Sequence, residues 1–232
     1  MAAFVVLAGG SGSRFGAASN KVYLPVAGRP VIAWSLAWTA EVPEVGPVVL
    51  VIRPGEEDDA AAAVSAAGLP SGSVEVVHGG DTRHRSEQAA LDLLRARIDA
   101  GEIDVVAIHD GARPLAGAAL LAEVITVARV HGGAVPTVPE PRAWRFAPDG
   151  RLVPPVEALH AVQTPQAFRA GPLLTAYDAA TAAGTEGTDT ASALEGVPGV
   201  RVVSVPGHAD NLKVTFAPDL SRAEDLLRAL GS

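Results

Sequence analysis

The 232-residue sequence has no cysteine, one methionine and only two lysines, and aromatic residues make up 4% of it. Without thiols there is no disulfide framework, no thiolate nucleophile and no Cys-ligated zinc or iron–sulfur centre. No apolar run reaches the roughly 18 residues of a membrane-spanning helix, and Met1 to Leu7 lacks the basic flank and the length of a signal peptide. A cytoplasmic location with no membrane partner is the expectation. Positive charge is also scarce: 18 Lys plus Arg against 26 Asp plus Glu leave a formal charge of −8. That argues against a nucleic-acid partner, because sequence-independent binding neutralises many phosphates with a basic face. Any phosphate site must be local.

What is present is apolar. Hydrophobic residues reach 48% and charged residues 19%, ample to bury a core. No linker divides the chain, so one domain over 1–232 is expected. Sixteen of the 18 cations are Arg, so Lys21 and Lys213 mark positions that use what only lysine offers, a compact ammonium with three rotatable donors.

Strand and helix signals alternate. Ala3 to Ala8, Val48 to Ile52, Val74 to Val77, Asp104 to Ile108 and Ala134 to Val138 read as buried strands; Pro30 to Thr39, Glu56 to Ala67, Ser86 to Ile98 and Leu120 to Val130 read as the helices between them. Such alternation predicts an α/β fold, a mainly parallel, twisted sheet with helices on both faces. Pro139 to Pro155 breaks the rhythm, and its Pro148-Asp149-Gly150 turn predicts a β-hairpin arm. Strands are then expected at Leu159 to Gln163, Val200 to Val205 and Asn211 to Thr215, with helices at Pro172 to Ala183, Thr190 to Leu194 and Asp219 to Leu230.

Ligands of open α/β sheets bind where strands end, so the loops after strands carry the candidates. The first, Ala8-Gly9-Gly10-Ser11-Gly12-Ser13-Arg14, offers successive backbone N–H groups of the kind that cradle phosphate. It is not a Walker A loop, having no Gly-Lys-Ser/Thr, nor the dinucleotide fingerprint, since Phe15 stands where that pattern needs glycine. Ser13 likewise rules out a nucleophile elbow on Ser11. What remains is a glycine-rich loop with two cations, Arg14 and Lys21, placed to embrace a polyphosphate. Asp110 ends a buried strand at the crevice, where a carboxylate meets a metal ion or a ribose hydroxyl. The six histidines show no metal-ligand spacing, and Trp34 and Trp38, four apart, read as core packing.

Four blocks in order, Leu7 to Leu24, His109-Asp110-Gly111-Ala112-Arg113-Pro114, Gln163-Thr164-Pro165-Gln166 and Asp210-Asn211-Leu212-Lys213-Val214-Thr215, resemble the 2-C-methyl-D-erythritol 4-phosphate cytidylyltransferases and the related ribitol-5-phosphate cytidylyltransferases. The resemblance implies a Rossmann-like nucleotidyltransferase fold and the reaction of CTP with a polyol phosphate to give a CDP-polyol and pyrophosphate, with Mg²⁺. It implies Arg14, Lys21 and Lys213 as catalytic cations. The nucleotide side would comprise Ala8, Gly9, Gly10, Ser11, Gly12, Ser13, Gly80, Asp81, Arg83, Ser86, Asp110 and Gly111, with Asp110 also the candidate metal ligand. The acceptor side would comprise Arg113, Arg142, Thr164, Asp210 and Lys213.

The sequence departs from the family pattern in the arm, about 139–158. Val156 stands where the family has an arginine that reaches the acceptor phosphate, and Pro141-Arg142 where it has Asp-Thr; Asn20 replaces the proline before the catalytic lysine. Arg142, Arg145 or Arg151 would have to supply the missing charge. The acceptor therefore stays open between methylerythritol phosphate, ribitol phosphate and another polyol or sugar phosphate, and a catalytically silent nucleotide-binding paralogue is the rival of another class. An isolated hairpin is marginal in water, so the arm is expected to pack on a second copy, giving a homodimer.

Overall fold

The computed structural model describes residues 1–9, 20–140, 145–153, 159–187 and 189–230. Its strands are β1 (Ala2–Leu7), β2 (Pro25–Val26), β3 (Arg29–Pro30), β4 (Val45–Ile52), β5 (Val74–His78), β6 (Val105–Asp110), β7 (Gly132–Pro139), β8 (Arg145–Phe146), β9 (Leu152–Val153), β10 (His160–Val162), β11 (Gln166–Arg169) and β12 (Arg201–Pro206). The helices are α1 (Val31–Ala37), α2 (Glu57–Ala66), α3 (Arg83–Asp99), α4 (Ala118–His131), α5 (Ala170–Ala183) and α6 (Ala217–Leu230).

β1 lies between β4 and β6, with β5 beyond β4, and all four are parallel. Burial on both faces requires each side chain along β1 to find a core. Ala2, Phe4 and Val6 enter one apolar cluster with α1, α2 and α4, while Ala3 and Val5 enter the other with α3 and α5. A third cluster joins Val26, Val31 and Val214 to Ala223 and Leu227 of α6. Leu7 pairs with both Val51 and Asp110, and Ile52 with His78. The chain therefore leaves four strands at one edge, which places their exit loops side by side.

The far half of the sheet is mixed. β11 runs antiparallel between β6 and β7, and β7 also pairs parallel with β12 and antiparallel with β10. The sequence pattern does not announce β11, because Gln166–Arg169 is four residues long with polar ends, and a strand that short carries no period. Asn211 to Thr215, expected as a strand, is not one. Its backbone groups pair across strand ends, Asn211 O accepting from Arg113 Nη1 at 2.7 Å and Val214 N donating to Ala112 O at 2.8 Å, so no ladder forms. Thr190 to Leu194, expected as a helix, holds a single 3₁₀ turn at Ser192–Leu194. α3 begins at Arg83, three residues earlier than its apolar period indicates, because Thr82 caps it by accepting from Arg85 N. Within the arm the described residues 145–153 form a hairpin, with Phe146 opposite Leu152, while Pro141, Arg142 and Val156 lie outside the described residues. Trp34 is less a core residue than a bracket: its indole donates to Val26 O at 3.1 Å and Arg29 lies over its ring.

Candidate active site

The exit loops of β1, β4, β5 and β6 surround a cleft of about 650 Å³. Among the described residues its walls include Ala8, Gly9, Lys21, Gly80, Asp81, Arg83, Ser86, Asp110 and Lys213 from the sequence reading. Gly10, Ser11, Gly12, Ser13, Arg14 and Arg142 lie outside the described residues.

The floor is Asp110, a nearly buried carboxylate with cations on several sides. Lys213 Nζ donates to Oδ2 at 2.7 Å, Arg83 Nη1 donates to Oδ1, and Arg113 Nε stands 3.8 Å from Oδ2. Burial alone pushes this carboxyl up, but Arg83 and Lys213 outweigh it and hold Asp110 well below the usual carboxylate range. It is an anion at any physiological pH. Its backbone is fixed too, Asp110 N donating to Thr164 Oγ1 at 3.0 Å.

Behind it sits His109, fully buried, with Nδ1 3.1 Å from Thr164 Oγ1 and Nε2 3.1 Å from both Arg113 O and Ser35 Oγ. The neutral ring protonated at Nε2 accounts for these contacts: it donates to Arg113 O and accepts from Thr164, whose oxygen accepts from Asp110 N. Burial pushes its pKa from 6.5 down to about 3. A base whose folded pKa is depressed leaves the unfolded chain binding more protons between those values, so stability falls as pH drops through that window. Unfolding free energy is expected to fall by up to about 1.4 kcal/mol per pH unit from this residue below pH 6.5. Asp110 adds to the loss in the same direction at lower pH. Urea midpoints measured across that range check this, and a slope no steeper than that of His109→Gln contradicts it.

Lys21 opens a 3₁₀ turn, Lys21–Tyr23, capped by Asn20. The Asn20 amide donates to Ala8 O at 2.6 Å and to Glu56 Oε1 at 3.1 Å, and Glu56 also takes the Arg53 Nε at 2.7 Å. Asparagine in place of proline thus ties the end of β1 to the start of α2. Arg53 becomes part of the cleft wall, which the sequence reading missed.

Apart from Asp210, the remaining expected residues, and Gly80 of the wall, also answer to packing or to the support of Asp110. Gly111 turns inward; a Cβ there would stand 2.7 Å from Ile32 Cδ1 and 3.0 Å from Leu7 O, so its glycine answers to packing. Gly80 permits the backbone to approach α3, where a Cβ would meet that of Arg85 at 2.4 Å. Thr164 is buried, its hydroxyl engaged with His109 and Asp110. Arg113 braces Asp110 from behind, whereas Asp210 is a surface residue near His208 and Arg222. Glu87, buried beside Arg83, was not anticipated at all.

A cleft at the carboxyl edge of a doubly wound sheet, with a charge-compensated aspartate between lysine and arginine, is the arrangement of a nucleotide-handling α/β enzyme. Comparison with known proteins makes this particular. The profile of the IspD family, 2-C-methyl-D-erythritol 4-phosphate cytidylyltransferase, matches residues 2–229. The chain belongs to this family, whose members are nucleotidyltransferases. A relative of that name from Cereibacter sphaeroides (strain ATCC 17029 / ATH 2.4.9) is 40% identical over 227 residues, covering 97% of this chain and 96% of the relative. The crystal structure of 2-C-methyl-D-erythritol 4-phosphate cytidylyltransferase from Thermus thermophilus superposes with a TM-score of 0.71 at 31% identity, covering 97% of this chain and 98% of that one. The 4-diphosphocytidyl-2C-methyl-D-erythritol synthase structure from Anaerococcus prevotii DSM 20548 gives a TM-score of 0.82 over 98% of this chain and 96% of that one, and at 24% identity speaks for the fold.

Proposed function

We propose that this chain transfers the cytidylyl group of CTP to 2-C-methyl-D-erythritol 4-phosphate, releasing pyrophosphate. The observation that carries the reading is the Asp110 floor with Lys213 and Arg83 upon it, in a cleft that Lys21 also lines. An acceptor phosphate oxygen attacks the α-phosphorus, a P–O bond forms, and the bond to pyrophosphate breaks. No general base is needed, because a phosphate dianion is already a nucleophile. The protein's task is to place two anions together and to stabilise charge on the five-coordinate phosphorus and the leaving group. Lys21 and Lys213, both lining the cleft, supply that charge, and Arg14 is assigned to the same task by family resemblance. The relatives are named for methylerythritol phosphate, which favours it over the other acceptors.

Mg²⁺ is part of the proposal. The described residues contain no cluster of three or more metal-ligating side chains, which suits an ion carried chiefly by nucleotide phosphates. Asp110 is the carboxylate that would complete its shell; the ion would neutralise triphosphate charge. Pyrophosphate release from CTP and methylerythritol phosphate is expected with Mg²⁺ and lost in excess chelator. Equal rates with UTP would move the protein out of the cytidylyl class.

The homodimer belongs here too. Phe146 and Leu152 of the arm are 69% and 52% exposed, and Leu159 and Val162 at its base are 48% and 46% exposed. An apolar hairpin of this kind favours burial against a second copy. Light scattering at micromolar concentration is expected to give twice the chain mass, and Phe146→Asp to give a monomer; a wild-type monomer contradicts the reading.

A further inference from the structure

Glu87 lies in the second turn of α3, and its side chain is 1% exposed. A carboxylate rarely goes so deep unless it is paired and hydrogen-bonded. Here it is met from three directions: Thr190 Oγ1 donates to Oε1 at 2.9 Å, the Tyr177 hydroxyl donates to Oε2, and Arg83 Nε stands 2.8 Å from Oε1. The Arg83 contact is an ion pair rather than an aligned hydrogen bond, since that N–H points at no acceptor. The other end of the same guanidinium rests on Asp110. Arg83 therefore spans two carboxylates, one in the cleft and one behind it.

This arrangement exceeds what packing α3 on α5 requires, because an apolar side chain would fill the space without the cost of desolvating a charge. Burial pushes the Glu87 carboxyl up, while Arg83 and the bonds from Tyr177 and Thr190 favour its charged form; as the anion it lowers the net positive charge near the floor, where Arg83, Lys213 and Arg113 face Asp110. Bulk electrostatic attraction for a triphosphate is thus reduced in exchange for a fixed guanidinium. We infer that Glu87 is a positioning residue for the nucleotide side of the site: anchored by Tyr177 and Thr190, it holds the Arg83 guanidinium against Asp110 before substrate arrives. The functional part of this inference rests on the proposed cytidylyl transfer.

Glu87→Gln keeps the shape and the capacity to bond Tyr177 and Thr190 but removes the charge. Tyr177→Phe keeps the charge and the ring that stacks on His84 at 4.4 Å, and removes one anchor. The crystal structure of full-length Glu87→Gln is expected to show Arg83 out of ion-pair distance from Asp110. Should that variant not fold, the Tyr177→Phe structure is read in its place. Kinetically, Glu87→Gln is expected to raise KM for CTP about fivefold and Tyr177→Phe about twofold, with kcat and the acceptor KM near wild type. Because Glu87 acts through Arg83, the double variant Glu87→Gln/Arg83→Ala is expected to be no worse than Arg83→Ala alone. Arg83 unmoved in the crystal overturns the inference, as do additive effects or a fall in kcat at unchanged KM, the marks of a structural role. Absence of cytidylyl transfer by the wild type would refute the proposed function instead, while the crystallographic arm still decides whether Glu87 positions Arg83.

Discussion

Asp110→Asn is expected to lose about a thousand-fold in kcat/KM and about 3 kcal/mol of stability together. The side chain keeps its size, so the effect isolates charge. Removing the carboxylate leaves Arg83, Lys213 and Arg113 crowded around a neutral amide at the end of β6. Breaking a buried pair by deleting one partner costs about 3–5 kcal/mol, and the lower figure applies here because the Arg83 and Lys213 side chains are 33% and 41% exposed and water takes up part of the charge. The activity loss is larger because both cations lose the anchor that aims them. Thermal melting and pyrophosphate release, measured on the same preparation, test both halves. A variant with wild-type kinetics and a lowered melting point would reduce Asp110 to a structural ion pair.

Lys21→Ala is expected to lower kcat roughly a hundred-fold with little change in melting temperature. The backbone at Lys21 is set by Asn20, which is bound to Ala8 O and Glu56, so the ammonium is presented from a fixed turn and its removal leaves that turn intact. Lys21→Arg is expected to be impaired as well, because a planar fork does not replace a point charge in a narrow phosphate loop. Full activity in Lys21→Arg would undo the argument drawn from the scarcity of lysine. Asn20→Ala provides the internal comparison, lowering kcat by less than Lys21→Ala while leaving the cation in place.

In the parallel half of the sheet β1, β4 and β6 were legible because each is a short apolar run ended by glycine, aspartate or proline, and burial on both faces leaves no polar alternation to confuse it; the edge strand β5, with Glu75 and an exposed Val76, was legible from its valines and the Gly79-Gly80 that ends it. That Asp110 lines the cleft was legible for a related reason, since strand ends are where an α/β sheet presents ligand-binding groups, and that Lys21 lines it was legible from the scarcity of lysine and the glycine-rich loop before it. Glu87 was not. In sequence it follows Ser86 in a polar helix start and reads as solvated, and what buries it is Tyr177 and Thr190, 90 and 103 residues further on. The same distance effect hid the Arg53, Glu56 and Asn20 clasp and the inward turn of Gly111. Asn211 to Thr215 misled in the opposite sense, since its apolar alternation reflects contact with α6 and the strand ends rather than a ladder.

The antiparallel strand β11 has a consequence for how the protein is made. A ribosome delivers the chain from the N-terminus, so β1, β4, β5 and β6 all emerge while the native neighbour on the open side of β6 does not yet exist. Thr164, whose hydroxyl fixes Asp110 from the main chain, lies 54 residues further on, with α4, β7 and the arm synthesised in between. Throughout that interval the nascent chain carries an unpaired apolar sheet edge, a surface that recruits strands from other molecules. The cluster of charges at the cleft floor is likewise incomplete, because Lys213 comes later still. Catalytic competence and protection of the sheet edge are therefore acquired late in synthesis, when residues 164–169 insert between β6 and β7 and the C-terminal segment then brings its lysine to the aspartate.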